Sequence, residues 1–218
     1  MNIPYFKGCT WKDLSREERF YCFILYQHAI LQEPREFAKF IRDKATWKEE
    51  TTDYKNKTAI ALDPSIDWEI GVEVCFYRDY RWHHGESVRD SDFSPKRTFD
   101  LCLFSPETIV IIEAKVAQDF DGEQIETFKD DRWKIPNLIK ELDRTASTNV
   151  QTPKVLLVAL ASSKYVEPSL KRVNSALKDF DGSLTWQDVS TEYTDDPLFK
   201  QADELYDSKK MPALRKLT

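Results

Sequence analysis

Two short runs rich in β-branched and aromatic residues, Phe99 to Phe104 and Ile109 to Lys115, are separated only by Ser105-Pro106-Glu107-Thr108. No other feature constrains the chain as much, because so short a link between strand-like runs predicts a β-hairpin. Pro106 suits the second position of a type I turn and Ser105 the first. With the loop centred between Pro106 and Glu107, the opposed residues are Phe104 with Ile109, Cys102 with Ile111, and Asp100 with Glu113. Opposed residues project to the same face with β-carbons about 5 Å apart. Residues two apart along a strand share a face, so Lys115 joins the two acids. A slip of one residue would turn Asp100 away from Glu113.

Two carboxylates at that spacing repel, and each resists ionising unless a cation lies between them. Mg²⁺, or Mn²⁺, suits the place: it takes oxygen ligands and is commonly held by one or two protein carboxylates plus phosphate oxygens. Asp100, Glu113 and the backbone carbonyl of Ala114 are the candidate ligands. Lys115 adds a compact positive charge that orients a water and offsets charge developing on a phosphate. Hydrolysis of a phosphodiester requires these parts. The acids also end Val110-Ile111-Ile112, an apolar run typical of a central strand, where unpaired charge is costly.

Asp100, Glu113-Ala114-Lys115 and then Gln124 with Phe128 one turn later resemble the PD-(D/E)XK nuclease superfamily, the restriction-endonuclease-like fold. The resemblance covers roughly Val72 to Leu160, with strand, hairpin, helix and strand in the family order. It implies that Asp100 and Glu113 hold the metal, that Lys115 assists the attacking water, and that Gln124 supports the site. Phe99 stands where the name-giving motif has Pro, a frequent replacement. Family members often supply a further acid from an N-terminal helix, which makes Glu18 a candidate.

Glu18 and Gln124 also have plain structural explanations. Ser15-Arg16-Glu17-Glu18 has the capping-box pattern, and Phe20, Phe23, Ile24, His28 and Leu31 follow at helical spacing. The acids from Asp119 to Glu126 suit the first turn of a helix, where Gln124 is ordinarily a surface residue. Glu73 is a further contender, but alternation along Glu69 to Tyr77 sets it opposite Val72, Val74 and Phe76, facing solvent. His83 and His84 are adjacent and point apart in an extended chain, which favours a surface role.

At 218 residues and 41% hydrophobic, the chain is long enough to bury one sizeable core. We expect a single α/β domain: a mixed central β-sheet flanked by helices, with a core over about 69–190, N-terminal helices over 15–44 and a peripheral tail over 194–218. The N-terminus lacks the basic start and apolar core of a signal peptide, and no apolar run is long enough for a bilayer, so no membrane partner and a cytoplasmic location are expected. Cys9, Cys22, Cys75 and Cys102 lack paired spacing and indicate neither a disulfide framework nor a zinc site.

The formal net charge of −6 argues against a general nucleic-acid coat protein, so binding a phosphate backbone requires local basic clusters. Candidates are Lys96-Arg97, then Lys129, Arg132 and Lys134, and Arg78, Arg81 and Arg89, with Tyr77, Tyr80 and Trp82 available for stacking. DNA is the expected partner, with RNA not excluded, and a homodimer or partner subunit is compatible. The alternative function is a non-cleaving nucleic-acid-binding or assembly subunit that keeps the fold.

Elsewhere the pattern predicts helices over Arg35 to Lys44, Ile135 to Ala146, Pro168 to Phe180 and Gln201 to Tyr206. It predicts a buried strand over Lys154 to Leu160, a last strand over Ser183 to Val189, and loops over 46–57 and 83–95.

Overall fold

The computed structural model describes residues 18–48, 62–86, 97–120, 122–143, 152–170 and 175–206. Two helices lead, α1 (Glu18–Gln32) and α2 (Pro34–Lys44), and Ser15, Glu17 and Cys9 fall outside the described residues. Pro34 at the start of α2 has no N–H to leave unpaired there. The remaining elements are β1 (Thr46–Trp47), β2 (Glu69–Val74), α3 (Phe76–His83), β3 (Phe99–Phe104), β4 (Thr108–Ala114), α4 (Gly122–Leu142), β5 (Lys154–Ala161), α5 (Ser163–Leu170), a 3₁₀ turn (Ala176–Asp179), β6 (Gly182–Thr185), α6 (Trp186–Glu192) and α7 (Pro197–Glu204).

The six strands form one mixed sheet in the order β1-β6-β5-β4-β3-β2. Strands β2, β3 and β4 run as an antiparallel meander, while β4, β5 and β6 are parallel to one another. Both faces are covered, as the apolar β4 and β5 demand. Leu101, Leu103, Val110, Ile112, Val158 and Leu184 pack on one face against α1, α2, α6 and α7. Cys102, Ile111, Leu157 and Ala159 pack on the other against α3, α4 and the 3₁₀ turn.

The hairpin has the register read from its turn: Phe104 pairs with Ile109, Cys102 with Ile111 and Leu101 with Ile112. The Ser105 amide donates to the Thr108 carbonyl at 2.9 Å, and Ser105 Oγ accepts from the Thr108 amide at 3.0 Å.

Several elements differ from expectation. The run expected as one strand to Tyr77 leaves the sheet after Val74 and becomes α3, whose Phe76 stacks on Tyr80 one turn later. The two helices expected either side of Pro136 are one helix, α4, because its buried stripe of Ile125, Phe128, Ile135, Leu138 and Leu142 continues across the proline and outweighs the lost backbone bond. Of the helix expected over Pro168 to Phe180, Pro168 to Leu170 belong to α5, residues 171–174 lie outside the described residues, and Ala176–Asp179 form a 3₁₀ turn capped by Ser175. The last strand stops at Thr185, where a capping box with Asp188 starts α6. The tail expected to be peripheral is not so as far as Glu204: Asp196 caps α7, and Phe199 and Ala202 are fully buried. Thr46 and Trp47, expected in a loop, pair with Ser183 and Gly182.

Candidate active site

Three strands and a helix converge on the expected acids. The hairpin ladder runs as far as Leu101–Ile112, and Asp100 and Glu113 are the next residues on the two strands. The Ala114 amide donates to Asp100 Oδ2 at 2.8 Å, so the carboxylate of β3 is tied to the chain just after Glu113. Lys115 follows β4, and its Nζ lies 2.9 Å from Glu113 Oε1 and 3.5 Å from Glu18 Oε1 at the start of α1. Glu113 and Lys115 are almost fully buried, with side chains 5% and 7% exposed, and Glu18 is 26% exposed. Gln124 falls in the first turn of α4, and its side chain lies outside the described residues.

Glu73 acts on Asp100 from the neighbouring strand, while its side chain keeps 37% of its surface exposed, in line with its expected solvent-facing place. The pairs Val72–Leu101 and Val74–Phe99 flank it, which sets it across from Asp100. Its φ of 53° is left-handed, a region that a side chain with a β-carbon rarely adopts. Val72 and Leu101 pack on the α1 face, whereas Val74 and Phe99 pack on the α4 face. Residues two apart on a strand ordinarily share a face, so the pleat breaks in both strands at the level of Glu73 and Asp100. Glu73 Oε1 lies 3.3 Å from Arg19 Nε but accepts no hydrogen bond, although that oxygen is buried. The expected alternation set Val72, Val74 and Phe76 on one face, and the left-handed residue interrupts it, dividing Val72 from Val74 and Phe76.

Burial dominates the electrostatics. It raises the Asp100 carboxyl to about 6, against the hydrogen bond from Ala114 and the charge of Lys115, with Glu18 and Glu73 pushing the same way as burial. Burial and the charge of Asp100 raise Glu113 to about 7, and Lys115 only partly offsets them. Burial acts to lower the Lys115 ammonium, but Glu113, Glu18 and Asp100 together hold it above the ordinary lysine range. Near neutral pH the cluster therefore carries a firm positive charge beside acids that resist ionising. The Cys22 thiol, one turn along α1 from Glu18, is buried among these groups; burial raises it, and Asp100, Glu113, Glu18 and Glu73 add to the effect.

The expected basic contacts do not form an open positive surface. Arg97 Nη2 lies 2.6 Å from Asp131 Oδ2 and its guanidinium stacks over Phe128, while Tyr77 donates to the same carboxylate at 2.5 Å. Lys129, Arg132, Lys134 and Arg78 pair with Asp179, Asp181, Asp130 and Asp79. Lys96 and Arg89 lie outside the described residues. Of the aromatic candidates Tyr77 is buried, and Trp82 is exposed.

Trp186, expected within the last strand, touches the site from α6: its indole Nε1 donates to the Lys115 carbonyl at 3.0 Å. Among the described residues no helix is long and apolar enough to cross a membrane, and no group of three or more His, Cys, Asp or Glu side chains is placed to hold a metal ion. The expected donor set, two carboxylates and a main-chain carbonyl, is smaller than such a group. Compared with protein-family models, curated proteins and solved structures, the chain matches none.

Proposed function

We propose that the chain is a metal-dependent nuclease that hydrolyses phosphodiester bonds of DNA, with Asp100, Glu113 and the Ala114 carbonyl holding Mg²⁺ or Mn²⁺. One observation carries this: half-buried Asp100 and buried Glu113, from neighbouring strands, share a cluster with a buried lysine ammonium. The residues fit a hard cation. Their donors are oxygens, and burial raises the ionisation of both acids, a cost that a cation beside them would offset. When bound, such an ion supplies charge to a phosphate oxygen and acidifies water. Lys115 positions the water that attacks phosphorus and offsets the charge that develops there, and Glu18 and Glu113 keep its ammonium in place. The order of strand, hairpin, helix and strand over β2, β3–β4, α4 and β5, with α3 inserted before the hairpin, supports this, because strand, hairpin, helix and strand is the order the resemblance to restriction-endonuclease-like proteins implies.

A second function, a non-cleaving nucleic-acid-binding or assembly subunit, is favoured by a different observation. Lys115 is engaged by Glu113 and Glu18, and the described basic candidates are paired with acids. The two are separated by incubating plasmid, single-stranded DNA and RNA with the protein in Mg²⁺, Mn²⁺ or EDTA, beside Lys115→Ala. Metal-dependent cleavage lost in the variant supports the nuclease. No cleavage by folded protein, with no stabilisation by metal, supports the subunit.

A further inference from the structure

Trp186 opens α6 with its side chain fully buried. The ring stacks on Phe199 of α7 at 6.3 Å between centroids and 8° between planes, and meets Tyr21 of α1 at 6.0 Å. These apolar contacts explain a large flat side chain at this position. They do not explain the direction of its one polar atom, which points at the Lys115 carbonyl.

Lys115 lies just beyond β4, where the ladder with β3 has ended. Its amide donates to the Leu160 carbonyl of β5 at 2.8 Å, and its carbonyl accepts from Trp186 at 3.0 Å. Both main-chain polar groups of this residue are therefore tied, one to the sheet and one to α6. Lysine has a flexible four-carbon stem, so the position of its ammonium depends on how firmly the main chain beneath it is held.

Accepting the nuclease reading, we infer that Trp186 is a positioning residue: its indole N–H anchors the Lys115 main chain so that the ammonium stays between Glu113 and Glu18. Trp186 does not touch substrate. It acts through Lys115, as outer-shell hydrogen bonds act on the groups they orient.

The test compares Trp186→Phe, which keeps an aromatic ring but removes the donor, with Phe199→Leu, which loosens the same stack and keeps the donor. Trp186→Phe should lower kcat for metal-dependent DNA cleavage about tenfold with KM unchanged, and Phe199→Leu should keep kcat. Full kcat in Trp186→Phe, or an equal loss in Phe199→Leu, overturns the inference. Hydrogen exchange separates this outcome from failure of the nuclease reading itself. In the wild-type chain the Trp186 indole proton and the Lys115 amide should exchange through one shared opening, and the Lys115 amide should exchange faster in Trp186→Phe while that of Ile112 does not. Separate openings in the wild type, which need no variant to fold, sink the inference whether or not the protein cleaves DNA.

Discussion

Glu73 lies across the β2–β3 ladder from Asp100, between the pairs Val72–Leu101 and Val74–Phe99, and both strands switch faces at that level. Two acids facing each other in a meander whose third strand brings Glu113 concentrate negative charge where the sheet is least regular. Backbone strain of this kind clusters at functional sites, and a left-handed Glu73 costs about 1–3 kcal/mol that the surrounding packing must offset.

Stability should depend on pH through these acids. Asp100 ionises near its ordinary value when unfolded but at about 6 when folded, and Glu113 at about 7. The folded state therefore binds more protons between these limits, and this part of the stability is lost as pH rises from about 4 to about 7. Asp100→Asn, whose side-chain oxygen still accepts from Ala114, should melt higher than wild type, by a margin that grows over that range. Melting curves from acid to mildly alkaline pH check this; a constant margin would contradict it.

Divalent metal should reverse that penalty. At about one hundred times its Kd, Mn²⁺ adds about 2.7 kcal/mol, worth about 5–10 °C in Tm for a chain of this size. Asp100→Ala should lose the gain. The check is thermal denaturation with Mn²⁺, Mg²⁺ and EDTA, and an equal gain in the variant would place the ion elsewhere.

Lys115 and Glu113 should behave as a unit. Removing the ammonium in Lys115→Met leaves Glu113 buried beside Asp100 and should cost about 3–5 kcal/mol where Glu113 is ionised. The cost should shrink toward pH 6, where Glu113 takes a proton. Adding Glu113→Gln should recover stability, with a coupling of about 1–3 kcal/mol in a double-mutant cycle by denaturant titration. Simple additivity of the two losses would show that the contact is idle.

Arg97 should prove structural. Its partner Asp131 is buried and also accepts from Tyr77, so Arg97→Gln leaves a buried acid without its cation, at about 3 kcal/mol or more. Denaturant unfolding measures this. A stable variant that merely binds nucleic acid less well would return Arg97 to the role first expected of it.

The hairpin was legible because its loop is too short for many registers, and the pairs from Phe104–Ile109 to Leu101–Ile112 follow it. Glu18 was legible as a helix-start acid, although its approach to Lys115 depends on how α1 crosses the sheet. The left-handed turn of the chain at Glu73 was not legible, because alternation cannot reveal a broken pleat. Trp186 was missed although Thr185 and Asp188 carry a cap signal in the sequence, because an indole donating across 71 positions has no local signature. The tail's place followed from Phe199 entering the core, a long-range contact that its polar surroundings obscured.

The turn at Ser105-Pro106-Glu107 sets the register of β3 on β4, and with it both the packing of the sheet and the meeting of the acids. An inserted or deleted residue there would not weaken the site by degrees; it would exchange the side chains packed on the two covered faces along the whole hairpin at once. The length of a surface turn that touches none of the reactive groups is thus as strict a requirement as the identity of any acid, and drift in this chain is free to change the letters of that turn but not their number.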